Sequence, residues 1–280
     1  MATTYFDLIS YLYERQQNRL LTSNLFWFKK NKGYKWIRGQ NFGDYLSYII
    51  VAKIAEKLGF KKMCINGNKK LLAVGSVLHF AKDGDVVWGA GVNGKVDITM
   101  HKFTNLDVRM VRGPLTKKFL ENRDILAGGN VFGDPALLLP ILFPKYIYKP
   151  VSGKITVIPN LNETDICKKN IPKNMTYVSP FLHWKKVLKE ILSSQLVLSS
   201  SLHGIILSEA FGVPVRLIKP VGGETLFKYK DYYEGTGRVL NTTPSSFADK
   251  INYKSGVEMS SPIYDADAML KTFPKDLFVS

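Results

Sequence analysis

The chain has 280 residues, a hydrophobic content of 45% and a formal net charge of +16, because Lys and Arg outnumber Asp and Glu by 39 to 23. This hydrophobic content is ordinary for a protein that packs a core, so the composition does not indicate intrinsic disorder, while the length allows one large domain or two of medium size. The two cysteines, Cys64 and Cys167, have no metal-ligand spacing, which argues against a zinc site or a disulfide framework.

The positive charge favours acidic partners such as nucleic acid, anionic lipid or phosphorylated substrates. The basic residues are dispersed, however, and their densest clusters are pairs such as Lys61–Lys62 and Lys185–Lys186, which are typical of a solvated surface. No apolar run approaches the roughly 18 residues that a membrane span needs. Residues 1–19 lack the basic-then-apolar order of a signal peptide. We therefore expect a cytoplasmic protein.

Helical and strand patterns alternate along most of the chain, which indicates helices packed on parallel sheets in an α/β fold. A stretch rich in proline, 140–153, is the best linker candidate, and the tail, 244–280, is predicted to hold two helices. In chain order, the predicted elements are helix 4–19, strand 25–28, helix 41–58, strands 70–74, 85–88 and 106–111, helix 115–121, strands 155–159 and 176–178, helix 183–192, strand 196–199, helix 203–211 and strand 215–218.

The stretch Ser199–Gly204 is the most informative part of the chain, because a strand ends there in three hydroxyls and His203 begins a helix. Backbone N–H groups at a helix N-terminus bind phosphate or carboxylate, and a histidine can transfer a proton near neutral pH. We therefore regard Ser200, Ser201 and Leu202 as candidate binding residues and His203 as a candidate catalytic residue. An ordinary strand-to-helix turn with serine caps is the alternative.

Two further motifs carry candidate site residues. Arg112 ends a predicted strand directly before a helix, and its planar guanidinium suits a carboxylate or phosphate in a cleft, although a surface ion pair is the alternative. In the stretch Asn41–Asp44 a glycine loop opens a helix. We predict that Asn41, Gly43 and Asp44 form a wall of the cleft, while helix capping alone would also account for them.

Two motifs are given a structural interpretation. Gly89–Gly94 matches the dinucleotide-binding pattern, but the residues that follow, 95–99, lack helical character, so we expect a glycine-rich loop near a ligand and not a nicotinamide site. In Gly133–Leu138, Pro135 fixes a turn, and Asp134 is interpreted as mainly structural. Acidic residues and histidines do not cluster as metal ligands, and no metal is predicted.

Together these motifs resemble the polysaccharide pyruvyltransferase family, in particular the ketal pyruvyltransferases of bacterial exopolysaccharide and capsule synthesis. The resemblance covers about residues 24–240, and the serine–histidine string is its most specific part. The matching strings are Asn41–Asp44, Arg112–Thr116, Gly133–Leu138 and Ser200–Gly204, with a fifth block at Phe227–Tyr233.

The resemblance implies two facing Rossmann-like lobes similar to those of GT-B glycosyltransferases. Residues 1–145 would form the N-terminal lobe on the acceptor side with Arg112, and residues 146–280 the C-terminal lobe on the donor side with His203 and the C-terminal helices. The implied donor is phosphoenolpyruvate, with no separate cofactor. His203 would match the catalytic histidine of the family and Arg112 the arginine that helps to hold the donor, with Lys219, Lys228 and Lys230 as further candidate contacts.

The implied reaction adds sugar hydroxyls to C2 of phosphoenolpyruvate while C3 accepts a proton and phosphate leaves, so it needs a general acid, for which His203 is the candidate. The positive charge fits a lipid-diphosphate-linked saccharide acceptor at the inner membrane face, with peripheral membrane contact as a hypothesis. One alternative is a nucleotide-sugar glycosyltransferase of the same two-lobed architecture, although the sequence has no ribose-binding signature. The other is a non-enzymatic nucleic-acid binder, motivated only by the charge.

Overall fold

Two sheets of mainly parallel strands organise residues 5–27, 40–65 and 67–280, which are the residues that the computed structural model describes. Thr4 and Phe28, at the ends of a predicted helix and a predicted strand, lie outside these ranges. In chain order the helices and strands are α1 (Tyr5–Gln17), β1 (Leu25–Phe26), α2 (Phe42–Lys57), β2 (Lys62–Met63), β3 (Leu71–Leu72), β4 (Val86–Trp88), β5 (Asp107–Met110), α3 (Pro114–Glu121), α4 (Leu139–Leu142), β6 (Ile155–Ile158), α5 (Thr164–Asn170), β7 (Thr176–Tyr177), α6 (Trp184–Leu192), β8 (Leu196–Ser199), α7 (Leu202–Ala210), β9 (Val215–Leu217), α8 (Phe227–Gly235), β10 (Val257–Glu258), α9 (Ala266–Lys271) and β11 (Phe278–Val279).

The first sheet has the strand order β1-β3-β4-β5, and all of its strands are parallel. Its central strands are apolar and buried along their whole length, as at Leu71, Leu72 and Val87, which is the pattern of a parallel sheet covered on both faces. The helix α2 is almost entirely buried. A helix that is apolar on most sides belongs to the interior of a protein, and here it packs beside both halves of the chain.

The second sheet has the order β10-β9-β8-β6-β7, in which only β10 is antiparallel. The strands β6 and β8 pair along four residues, so that Ile158 lies opposite Ser199. Their carboxyl ends therefore lie side by side, and the loops that follow them emerge at one edge of the sheet. Parallel α/β sheets place ligands at this edge.

The C-terminal segment returns to the first half of the chain. The strand β11 pairs with β2, and the Trp88 indole donates a hydrogen bond to Thr272 Oγ1 at 3.0 Å. The largest buried apolar cluster contains residues from both halves, among them Tyr45 and Ile205. A boundary after residue 145 thus separates the two larger sheets but not the last segment, and the division into two domains stays a prediction.

The predicted α/β class is confirmed by the parallel sheets, and the helices and strands predicted from the pattern are present, most of them slightly shorter. The GT-B arrangement of two facing lobes stays a prediction. The tail differs from expectation: it holds one α-helix, α9, and short strands in place of two helices, because Gly256, with φ of 89°, and Pro274 interrupt the chain. No helix in the described ranges is long and apolar enough to cross a membrane.

Candidate functional site

A cleft of about 240 Å³ lies where the carboxyl ends of the two sheets approach each other. Its walls come from the start of α2 and the loops that follow β3 and β4 in the first half, and from the loops that follow β6, β8 and β9 and the start of α8 in the second. The first half of the chain contributes Asn41, Asp44, Ser76, Val77, His79, Phe80, Asn93, Lys95 and Val96, and the second half contributes Asn160, Leu161, Asn162, Ser201, Leu202, His203, Glu224 and Lys228.

His203 is the second residue of α7 and lies on the wall of this cleft with only 7% of its surface exposed. The N-cap of α7 is Ser201, whose hydroxyl accepts a hydrogen bond from the Gly204 N–H at 3.4 Å. The first N–H groups of a helix have no partner within the helix, and the helix dipole adds positive potential there. The start of α7 therefore offers an anion both N–H donors and an imidazole.

The serine loop before α7 is divided between the cleft and the interior. Ser201 and Leu202 line the cleft. Ser200 is fully buried below the cleft. Its hydroxyl donates a hydrogen bond to the Glu163 carboxylate and accepts one from the Asn160 N–H at 2.8 Å. Ser200 thus shapes the loop from beneath, and its predicted contact with a substrate stays a prediction.

The motif at the start of α2 forms the part of the wall that contacts His203. Asn41 is the N-cap of α2 and accepts a hydrogen bond from the Gly43 N–H at 2.9 Å. Gly43 lies so close to His203 that a Cβ atom at this position would be 2.1 Å from Nδ1 of the imidazole. Only glycine fits there, because any side chain would displace the ring. Asn41 and Asp44 line the cleft, as the sequence predicted for this wall.

Asp44 is the acidic group of the cleft whose titration is most strongly altered. Burial raises its pKa to about 6, while the positive charges of His203 and Lys228 act in the opposite direction and Asp134 adds to the increase. A carboxyl group with such a pKa exchanges protons near neutral pH, so it can act as a general base or acid.

Two lysines and a glutamate form a charged cluster on one side of the cleft. The Glu224 carboxylate pairs with Lys228 at 2.8 Å and also with Lys95. Burial lowers the pKa of Lys228, an effect that the Glu224 carboxylate opposes. Burial would raise the pKa of Glu224, but the two lysines outweigh it and the pKa is lowered. The cluster carries one excess positive charge inside a concave site.

Of the three predicted lysines, only Lys228 is in the cleft. Lys219 and Lys230 are exposed and are not among the residues that line it. Lys95 and Glu224 were not predicted as site residues, and neither were Asn160 and Asn162. Lys95 directly follows the glycine-rich loop after β4, and the two asparagines follow β6, so a search of all residues after strand ends would have found them.

Arg112 lies behind the cleft wall and is fully buried. Its guanidinium donates to the Asp231 carboxylate at 2.9 Å, to the Ser76 hydroxyl at 2.7 Å and to the Val92 carbonyl at 2.8 Å. Asp231 is fully buried as well. Its carboxylate also accepts hydrogen bonds from the N–H and the hydroxyl of Thr116, and so it caps the first turn of α3 although it is distant in sequence. The structure therefore does not bring Arg112 into the cleft with His203, and its predicted contact with a donor stays a prediction.

Comparisons with known proteins agree with these motifs. The family model described as polysaccharide pyruvyl transferase matches residues 5–220. The chain is 27% identical over 217 residues to the succinoglycan biosynthesis protein ExoV of Rhizobium meliloti (strain 1021), an alignment that covers 74% of this chain and 65% of the relative. The chain thus spans slightly less than two thirds of that relative.

Among solved structures, an uncharacterized protein from Klebsiella pneumoniae subsp. pneumoniae NTUH-K2044 is 16% identical, with a TM-score of 0.44 over 81% of this chain and 91% of that chain. A structural likeness of this size is too weak to support an argument about function.

The buried Arg112–Asp231 pair generates a prediction about stability. Arg112→Met or Asp231→Leu should each lower the free energy of unfolding by about 3–5 kcal/mol, since each leaves an unpaired charge in the interior. The double variant should lose clearly less than the sum, and urea unfolding of all four proteins measures this coupling.

Lys53→Met is the matched control, because its ion pair with Glu56 is exposed and should contribute about 0–1 kcal/mol. Additive effects of the two buried substitutions would show that the pair is not the unit that holds this region together.

Proposed function

This chain belongs to the polysaccharide pyruvyl transferase family, and we propose that it transfers the enolpyruvyl group of phosphoenolpyruvate to two hydroxyls of a sugar in a surface-polysaccharide precursor. The products are a pyruvate ketal and phosphate. One observation carries the proposal: a histidine at a helix N-terminus, a carboxyl group of raised pKa and two lysines line one cleft. This set can bind a small anion with two acidic groups and move protons beside it.

The donor would bind at the start of α7 and at the lysine cluster. Phosphoenolpyruvate carries a carboxylate and a phosphate, so it needs more positive potential than one residue provides. The N–H groups at Leu202 and His203 suit one anionic group, and Lys95 and Lys228 suit the other. Glu224 holds both lysine side chains in position when no anion is bound and reduces the cost of burying them.

His203 would protonate C3 of the bound donor. When C3 accepts a proton from the imidazolium, positive charge passes to C2, and the first sugar hydroxyl adds there. The second hydroxyl then replaces phosphate at C2. Of the two hydroxyl protons, one restores the charge of the imidazole and the other leaves with phosphate, so that the reaction is balanced without an oxidant or reductant.

Asp44 would remove the proton from the attacking hydroxyl and pass it to the leaving phosphate, so that it is ionised again at the end of the reaction. It belongs to the first half of the chain and directly follows Gly43, which contacts the His203 ring, and both Asp44 and His203 line the cleft in which C2 and the sugar would meet. With a pKa of about 6, Asp44 is ionised near neutral pH and still basic enough to accept a proton in the transition state.

A saccharide acceptor follows from the family, and a surface-polysaccharide precursor is the proposed form. The lipid-diphosphate linkage and contact with the inner membrane face rest only on the charge of +16. Sedimentation with anionic vesicles tests that part, and an unbound protein at low salt would reject it.

The donor site predicts that Lys95→Ala and Lys228→Ala each raise KM for phosphoenolpyruvate by about 10- to 100-fold, because a hydrogen bond to a charged group contributes about 1.5–3 kcal/mol. Steady-state kinetics at fixed salt measure this effect. The matched controls are Lys219→Ala and Lys230→Ala, whose side chains are exposed outside the cleft and should leave KM unchanged. If instead a control variant raises KM for phosphoenolpyruvate and Lys228→Ala does not, the donor binds elsewhere.

His203→Ala should reduce kcat by about 10²- to 10⁴-fold, the range that general acid catalysis supplies, with little change in the thermal unfolding curve. The assay is phosphate release from phosphoenolpyruvate in the presence of acceptor saccharide. Release of nucleoside diphosphate from nucleotide sugars, followed in parallel, tests the alternative of a glycosyltransferase. Turnover of a nucleotide sugar without phosphoenolpyruvate consumption would overturn the proposed function.

The pH dependence of kcat/KM should show an acid limb near pH 6. The general base must be ionised, so activity is present above the Asp44 pKa of about 6 and is lost as the pH falls through it. Asp44→Asn should lose most of the activity, and what remains should no longer fall below pH 6. Initial rates measured between pH 4.5 and pH 8 at intervals of about 0.5 pH units test this expectation. An unchanged limb in this variant would assign the base to another residue.

A further inference from the structure

Two polar atoms without a hydrogen-bond partner face each other beneath the cleft. They are Nε2 of His203 and Oδ2 of Asp134, which lie 3.6 Å apart, and both are buried from solvent. Within the described part of the chain neither atom has another hydrogen-bond partner. A buried carboxylate oxygen or ring nitrogen without a hydrogen-bond partner lowers the stability of the fold. Two such atoms next to each other therefore indicate a functional reason for their placement.

The Asp134 carboxylate is held in a fixed direction. Its other oxygen, Oδ1, accepts a hydrogen bond from the Ala136 N–H at 2.9 Å and caps a short 3₁₀ turn, Pro135–Leu138. This turn is fully buried and packs against α7, the helix that carries His203. The cap needs only Oδ1, so the direction of Oδ2 toward the imidazole is not explained by the local turn.

The other ring nitrogen has different surroundings. Nδ1 lies above Gly43, where a Cβ atom would approach it to 2.1 Å, and the neighbouring residues Asn41 and Asp44 line the cleft. The two nitrogens of an imidazole point in divergent directions. One nitrogen of His203 thus faces a buried carboxylate, and the other lies on the side of the cleft wall formed by the start of α2.

We propose that Asp134 is a positioning residue: it accepts a hydrogen bond from Nε2–H of His203 and thereby makes Nδ1 the nitrogen that exchanges a proton with the substrate. The distance of 3.6 Å closes to a hydrogen bond with a small movement of the ring.

This inference rests on the proposed function for its catalytic meaning. In that reaction the imidazolium gives its Nδ1 proton to C3 of the donor, and the electrons of the broken N–H bond stay on Nδ1. The carboxylate keeps the remaining proton on Nε2 after the transfer. Without it, the neutral imidazole left after the transfer would distribute its proton between the two nitrogens. In part of the molecules Nδ1 would then be protonated and could not take up the hydroxyl proton that restores the imidazolium.

The test uses two substitutions that both preserve the cap of the turn. In Asp134→Asn, the amide oxygen can still accept from the Ala136 N–H, but the amide NH₂ faces Nε2 and favours the opposite tautomer. In Asp134→Ser, the hydroxyl can cap the turn but is too short to reach the ring. Thermal unfolding establishes that both variants are folded.

The first readout is the ¹⁵N chemical shift of His203 in the full-length, histidine-labelled protein without substrate, assigned by comparison with His203→Gln. We expect a proton on Nε2 in the unsubstituted protein, on Nδ1 in Asp134→Asn, and a mixture in Asp134→Ser. The same tautomer in all three proteins would overturn the proposal. Because no substrate is present, this readout stands even if the proposed function fails.

The second readout is kinetic. Asp134→Asn should reduce kcat by about 10²- to 10⁴-fold while KM for phosphoenolpyruvate changes less than about threefold, since the proton transfer and not the donor site is affected. Asp134→Ser should lie between that variant and the unsubstituted enzyme. A normal kcat in folded Asp134→Asn would overturn the positioning role. If the unsubstituted enzyme consumes no phosphoenolpyruvate, the proposed function has failed, and the tautomer readout decides the inference alone.

Discussion

The buried guanidinium of Arg112 is the group on which the shape of the cleft depends. It donates to Ser76 in the loop after β3, to Val92 in the loop after β4, and to Asp231 in α8, three residues after Lys228. Each of these elements supplies part of the cleft wall. A charge in the interior is tolerated only when its hydrogen bonds are satisfied, so the three elements are held together at the distances that the guanidinium sets. Gly91 leaves the room for it, because a Cβ atom there would be 2.4 Å from Cζ.

The two lysines of the cleft share one carboxylate before any ligand enters, which leaves one positive charge in excess. Lys95 and Lys228 share the Glu224 carboxylate, and burial makes the charged form of Lys228 less favourable while the carboxylate restores it. An entering dianion competes with Glu224 for the same lysines and brings a second negative group for the helix N-terminus. Electrostatic groups that are fixed in advance need little reorganisation during a reaction, which is the main advantage of such a site over water.

The features that the sequence predicted best are those whose residues lie next to each other in the chain. The residues around His203 are contiguous, and the strand, the hydroxyls and the helix start are all readable from them. Arg112 shows the limit: its position at a strand end was clear, but its partner Asp231 is 119 residues away, so the sequence could not distinguish a buried pair from a ligand contact. Glu224 was missed for a similar reason, since it follows no motif and only the folded chain brings it next to Lys95 and Lys228. The separation of Asp134 from His203 by 69 positions likewise hides their contact.

The proton donor of the proposed reaction belongs to one half of the chain and its surroundings to the other. His203 starts a helix of the second half, while Gly43 and Asp134, which fix its ring from two sides, belong to the first. The halves also share one buried apolar cluster, and the Phe42 N–H donates to the Pro180 carbonyl at 2.9 Å close to the site. Separating them would expose this apolar surface at a cost of about 25 cal/mol per Å². The same packing that joins the halves therefore also holds the imidazole in its orientation.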